Sequence, residues 1–199
     1  MNIWQTSQKR LGIALAILSI IGLIASFVLT YDTIETIKNP GFNPTCNISP
    51  IISCGHAIAS SQSELFGIPN PVYGIMAFMA LLTFAVTILA GAKYHKWIWL
   101  VAEAVALAGV LFAHYLFFVS MVVLGSICPW CSLVWVVTIA VFWYLTTYLT
   151  AKGTLSWQRP SHKIAELWKI YAVPSLIIWY VILIVIVFLR FRDYWLSLL

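Results

Sequence analysis

Five stretches of the chain are long and apolar enough to cross a bilayer, near residues 11–30, 72–91, 97–124, 128–150 and 172–190. A hydrocarbon core of about 30 Å takes roughly 20 residues of helix, and each run is of that order. Charged residues make up 9% of the chain and hydrophobic ones 62%, where soluble domains carry about 25% charge. A water-soluble globule is excluded. The expectation is an all-α integral membrane protein, one helical bundle over residues 1–199, without internal repeat or low-complexity tract. The first run is longer than the apolar core of a cleavable signal peptide and is expected to remain as a span.

The net charge of +5 does not call for a nucleic-acid partner, because Lys and Arg in a membrane protein report topology. With the N-terminus in the cytoplasm, Lys9, Arg10, Lys93, Lys96, Lys152, Arg159, Lys163 and Lys169 all fall inside, and only Lys38, Arg190 and Arg192 fall outside. The chain is therefore expected in a plasma (inner) membrane, with the 31–71 loop and the C-terminus extracytoplasmic. The 151–171 stretch carries Trp157, Arg159, His162, Lys163, Trp168 and Lys169, and reads as a basic, aromatic anchor among lipid headgroups. Pro174 marks the entry of the fifth span.

The loop 31–71 is the one long extramembrane stretch, and loops of that length are usually functional or disordered. Tyr31 to Ile37 continues the first helix beyond the lipid, until Asn39-Pro40-Gly41 and Asn43-Pro44 break it. From Cys54 to Phe66 the spacing of Ile58, Leu65 and Phe66 predicts a short amphipathic helix on the membrane face, ended by Gly67 and Pro69. The short connections at 92–96 and 125–128 predict that the second and third helices pair, and likewise the third and fourth.

On this topology all four cysteines, Cys46, Cys54, Cys128 and Cys131, lie on the extracytoplasmic face, where disulfides form and persist. Cys128-Pro129-Trp130-Cys131 puts two sulfurs on one helical face, with Pro129 suited to the first turn. A helix N-terminus favours the thiolate, the attacking species in exchange. Half a zinc site and an inert structural disulfide use the same spacing. Haem attachment is disfavoured, since Ser132 rather than His follows the motif. Cys46 and Cys54 can close a disulfide once the chain turns through Ser49-Pro50, and alone they describe a stapled external loop equally well. Zinc bound by all four cysteines fits less well, because structural zinc sites usually have two short knuckles. No metal is expected.

Other polar residues divide between chemistry and ordinary structure. Ser60 and Asn70 stand near the lipid surface, where capping and turn roles are common. Glu103, seven residues from Lys96, is expected at the cytoplasmic interface. His114 is nearer mid-membrane and reads as a hydrogen-bonded structural group, although intramembrane ionisable residues default to functional hypotheses. His56, beside the loop cysteines, reads as exposed.

Cys46-x7-Cys54, Ser60 six residues on, Phe66-Gly67, Asn70-Pro71-Val72-Tyr73-Gly74 and a CxxC opening the fourth span follow one another here. In that pattern and order the chain resembles the vitamin K epoxide reductase family over roughly residues 10–150. The fifth span is similar to the additional helix of bacterial-type members. The resemblance implies a four-helix bundle around a quinone, plus a fifth transmembrane helix, capped by the loop and its half-helix. It implies further that Cys46 exchanges with a thioredoxin-like partner, Cys54 passes electrons inward to Cys128, and Cys131 faces the quinone. Ser60 and Asn70 would lie near the quinone head. Trp135, where vertebrate members carry Tyr, would line the ring pocket or simply pack.

The activity so implied is that of a membrane thiol:quinone oxidoreductase. It would reoxidise a DsbA-like protein with ubiquinone, menaquinone or a similar quinone as acceptor, supporting disulfide formation. No thioredoxin-like domain follows the last span, so a separate partner is expected. Vitamin K epoxide reduction is the alternative within the same chemistry, and a non-enzymatic scaffold with structural disulfides is the alternative outside it. DsbB performs a similar reaction on four helices. Its CxxC lies in the first external loop, whereas here the motif opens the fourth span.

Overall fold

The computed structural model describes residues 3–39, 41–44, 46–154 and 162–196. In chain order the elements are α1 (Ile3–Lys38), α2 (Cys54–Ile58), the two-residue strands β1 (Glu64–Leu65) and β2 (Ile68–Pro69), α3 (Asn70–Leu89), α4 (Lys96–Val119), α5 (Pro129–Ala151), α6 (His162–Arg190) and α7 (Arg192–Leu196). A π-helical turn, Ser120–Leu124, prolongs α4. With no water in a bilayer core, each apolar run has to satisfy its own backbone, and helices do so within one segment. Among the described residues five helices, α1 and α3 to α6, are long and apolar enough to span, so the protein is a multi-pass all-α membrane protein. Its outward faces are apolar: Ile17, Ile24 and Phe27 of α1 and Ile177, Ile184 and Phe188 of α6 are exposed.

The core lies where α1 packs on α3 and α5, around Leu11, Leu15, Phe78, Ile88, Val141, Leu145 and Leu149. Gly74 permits a close α1–α3 approach, since a side chain there would run into the Ser26 hydroxyl. The expected pairing of α4 with α5 is present. That of α3 with α4 is not: the tight turn joins them, and Phe84 meets Trp99 edge-to-face (5.2 Å) near it, but few other backbone approaches link the two. A short loop dictates proximity at one end only. Side-chain packing decides the rest, and here residues of both helices line an internal space instead.

Four further expectations meet a different outcome. The amphipathic helix predicted from Cys54 to Phe66 stops at Ile58; turns follow, and residues 64–69 form the β1–β2 hairpin. Phe66 and Gly67 both adopt positive φ (53° and 75°), the two-residue turn whose twist matches paired strands, and Gly67 makes it cheap. Pro174 sits inside α6, not at its entry. The backbone around it finds other partners: the Trp143 indole donates to the Ala172 carbonyl (2.7 Å), and the Ser175 hydroxyl bonds back to Tyr171 and Ala172. Glu103, expected at the cytoplasmic interface, is buried: it is 8% exposed between α4 and α5, with the Thr146 hydroxyl donating to it and its Oε2 without a partner among the described residues. α1 runs unbroken to Lys38, as expected, but already starts at Ile3, ahead of the predicted span.

His114 has the structural role expected. It bonds the Val110 carbonyl through Nδ1 (2.8 Å) and accepts the Trp179 indole N–H at Nε2 (3.1 Å), joining α4 to α6. At the other end of α6, Arg190 Nε donates to the Met121 carbonyl in the π turn (2.8 Å). Of the expected lipid anchor, Trp157 and Arg159 lie outside the described residues, as do the side chains of His162, Lys163, Trp168 and Lys169; Pro40 lies outside them too.

Candidate functional site: four cysteines at the mouth of an apolar cavity

Cys128 is the N-cap of α5, with extended backbone and Pro129 in the first turn. Its Sγ takes the place of a capping oxygen and accepts the Cys131 backbone N–H at 3.2 Å. Just outside the membrane span, the Cys128 thiol is held below the ordinary thiol range. The main cause is the hydrogen bond from the Cys131 side chain, helped by the N–H groups of Cys131 and Trp130. Burial and the Asp32 carboxylate act against it.

The loop pair is delivered by a different device. Ile52 forms an isolated parallel bridge with Ile127: Ser53 N–H donates to the Ile127 carbonyl (3.0 Å) and Ile127 N–H to that of Ile51 (2.7 Å). This fastens the loop to the connection just before α5. Asn47 closes the loop on itself, its Oδ1 accepting from the Ser53 hydroxyl and the Gly55 N–H (both 2.9 Å) and its Nδ2 donating to Asn43 (2.6 Å). Ser53 then caps the one-turn α2.

Cys46 and Cys54 are disulfide-bonded, with Cα atoms 5.7 Å apart, and Cys128 and Cys131 are free thiols. Cys128 Sγ lies 3.3 Å from Cys54 Sγ although the residues are 74 positions apart. A free sulfur that close to a disulfide sulfur is within reach for exchange. Cys46, Cys54 and Cys128 are all buried, at 5%, 0% and 3% exposure. Among the described residues no group of three or more His, Cys, Asp or Glu side chains is placed to hold a metal.

Behind the thiols lies a cavity of about 870 Å³, of the size that holds a small-molecule ligand. Its polar lining is gathered near the loop: Ser60, Asn70, Cys128 and Cys131 all line it, with Trp135 beside them. Apolar walls continue between α3 and α4 as far as Ile98 and Leu145. Ser60 has its hydroxyl committed to the Ala57 carbonyl (2.8 Å). Asn70 donates to the Gln62 carbonyl (2.7 Å), while its Oδ1 is buried with no partner among the described residues. Trp135 is buried edge-to-face against Phe117 (5.4 Å). His56 is exposed. All seven residues singled out from the sequence therefore lie in or against this site.

Two residues escaped that reading. Asn47 sits between the loop cysteines, where an Asn able to fold the chain back on its own side chain is a recognisable turn signal. Asp32 lies on α1 with Oδ2 3.7 Å from Cys46 Sγ. Nothing local marks it, because the contact depends on how the loop returns to the helix.

A membrane helical bundle carrying two adjacent cysteine pairs at the mouth of an apolar pocket is the framework of a thiol–disulfide oxidoreductase. The sequence profile of the vitamin K epoxide reductase family matches residues 13–146, and the chain belongs to that family. Membership makes it an oxidoreductase of the membrane thiol–disulfide and quinone class. A comparison with curated protein sequences finds no match. The family match ends within α5, so α6 lies beyond it.

Proposed function

We propose that the chain oxidises a thioredoxin-like (DsbA-like) dithiol protein and passes the electron pair to a membrane quinone, supporting disulfide formation in the partner's substrates. The observation that carries this reading is the 3.3 Å separation of Cys54 and Cys128 at the mouth of the cavity. The partner's thiolate attacks Cys46, the Cys46–Cys54 bond breaks, and the partner's second thiol displaces it as the partner's own disulfide. Cys54 then attacks Cys128 of an oxidised Cys128–Cys131 pair and expels Cys131. Cys46 attacks Cys54 in turn, freeing Cys128. That sequence ends in the bonding pattern seen here, with the loop pair closed and the CxxC reduced.

A bound quinone supplies an acceptor for two electrons and two protons, which the Cys128–Cys131 dithiol provides as it closes. The residues present fit such a molecule. Asn70 Oδ1 is an acceptor without a partner among the described residues, suited to the O–H of the product quinol. Ser60 and Trp135 complete the head end, and the apolar walls toward Ile98 and Leu145 suit the tail of ubiquinone or menaquinone. Cys46 is 5% exposed, so the loop swings open for the partner; exchange requires an accessible sulfur. The distribution of Lys and Arg supports a cytoplasmic N-terminus, with the cysteines and the C-terminus extracytoplasmic.

The test is anaerobic incubation of the reduced, purified chain with short-chain ubiquinone or menaquinone, following quinol. Wild type should form one quinol per CxxC oxidised, and Cys131→Ala none. Normal quinone turnover by Cys131→Ala would overturn the assignment.

A further inference from the structure

Asp32 has no role in the steps above, yet its position is unusual. It stands on α1 beyond the expected apolar run, is 2% exposed, and has Oδ2 3.7 Å from Cys46 Sγ. Buried carboxylates are normally paired with a cation or several donors. This one has no side-chain hydrogen-bond donor among the described residues, since Cys46 Sγ, bonded to Cys54, carries no proton in this state. On α1 itself the nearest charges, Glu35 and Lys38, pair with each other at 3.7 Å. The loop presents Cys46, α2 the bonded Cys54 and an exposed His56, and the head of α5 presents Cys128. Of α3, packed along α1, the titratable side chain at this end among the described residues is Tyr73, its hydroxyl donating to the Leu65 carbonyl. Among the described residues no basic group lies against the carboxylate, and a sulfur does.

A carboxylate beside a thiol does two things. It disfavours a resting thiolate by charge repulsion, and it accepts the thiol proton when the sulfur attacks. We propose that Asp32 is the general base of the loop pair, taking the proton of Cys46 as this sulfur attacks Cys54. The step begins with Cys46–SH, a Cys54–Cys128 disulfide and the Asp32 carboxylate. It ends with the Cys46–Cys54 disulfide, a Cys128 thiolate and a protonated Asp32, which then releases its proton to water. One S–S bond forms as one breaks, so no further oxidant or reductant is consumed. The sulfur bonding of this structure, Cys46 joined to Cys54 and Cys128 free, is that of the product.

The size of the effect follows from thiol ionisation. A thiol of pKa about 8.5 is about 3% ionised at pH 7, so moving its proton during the attack is worth up to about thirtyfold. The proposal rests on the relay described above, and two measurements separate the two ideas. In the full chain with Cys54, Cys128 and Cys131 each replaced by Ser, Cys46 is the sole thiol. Its iodoacetamide alkylation profile should titrate above the ordinary thiol range, and Asp32→Asn should bring it down toward about 8.5. Superimposable profiles overturn the proposal.

In the otherwise unaltered chain, supplied with a reduced DsbA-type protein and short-chain ubiquinone, Asp32→Asn should slow turnover by about thirtyfold at pH 7. The loss should recover at higher pH, and the Cys54–Cys128 mixed disulfide should accumulate on acid quenching and peptide mapping. An unchanged pH dependence with no accumulation overturns the proposal as well. If the wild-type chain reduces no quinone, the functional reading fails and the alkylation profile alone decides for Asp32.

Discussion

The loop pair and the helix pair put four sulfurs in one buried cluster, but they are held in different ways. Cys128 and Cys131 are fixed by the first turn of a 23-residue membrane helix, through a capping contact made within three residues. Cys46 and Cys54 depend on the Asn47 clasp and on two backbone bonds to the strand-like stretch around Ile127. Opening a loop held by few, polar contacts costs far less than unwinding a packed helix end. One pair is built to move and the other to stay, which suits a relay between a large soluble partner and a small ligand in the membrane.

The contrast breaks most completely at the fixed pair. Cys131→Ala should reduce quinol formation to the protein-free background, while in Cys54→Ala the free Cys46 should attack the disulfide of an oxidised partner and hold it as a mixed disulfide, visible on a non-reducing gel. Equal, partial losses in both variants would erase the distinction between the pairs. A second probe weakens the mobile pair's tether. Asn47→Ala removes three hydrogen bonds, each worth about 1 kcal/mol net. Dithiothreitol should then reduce the loop disulfide at least about tenfold faster. An unchanged rate would mean that the clasp does not restrain the loop.

Smaller effects follow from proton affinity and from the cavity head. The Cys131 hydrogen bond stabilises the charged form of Cys128, so its thiolate should persist to lower pH than an ordinary thiol's. Cys131→Ala removes that donor and leaves burial opposing ionisation, so the thiolate absorbance of the reduced variant should develop at higher pH. A single hydrogen bond is worth about 0.5–1.5 kcal/mol, so Asn70→Ala should raise the KM for quinone by about two- to tenfold. Ser60→Ala should change it least, by less than about twofold, because its hydroxyl is already spent on Ala57. A larger effect at Ser60 than at Asn70 would reverse the assignment of the free polar group.

Much of this was legible along the chain because it is local. Apolar length marked every span, and Cys128-Pro129 announced a helix start, since capping and proline placement act over one turn. The turn chemistry of Phe66-Gly67 was present in the sequence but yielded to an apparent helical period, and a hairpin formed instead. The gap between α3 and α4 was not legible, because a short loop says nothing about how two helices diverge. Nor were Asp32 and Glu103, whose burial is set by what packs against them.

By itself the sequence determined that the chain lives in a bilayer, that five of its segments can span it, and that two dithiol pairs are its chemical resource. Hydrophobicity, capping and thiol reactivity are properties of residues and their near neighbours. Only the tertiary structure decided which sulfur meets which. The 3.3 Å approach of Cys54 to Cys128 and the placing of Asp32 against Cys46 depend on the loop folding back to its bridge at Ile127. Contacts between residues far apart in the chain follow from the whole packing and from no single segment of it.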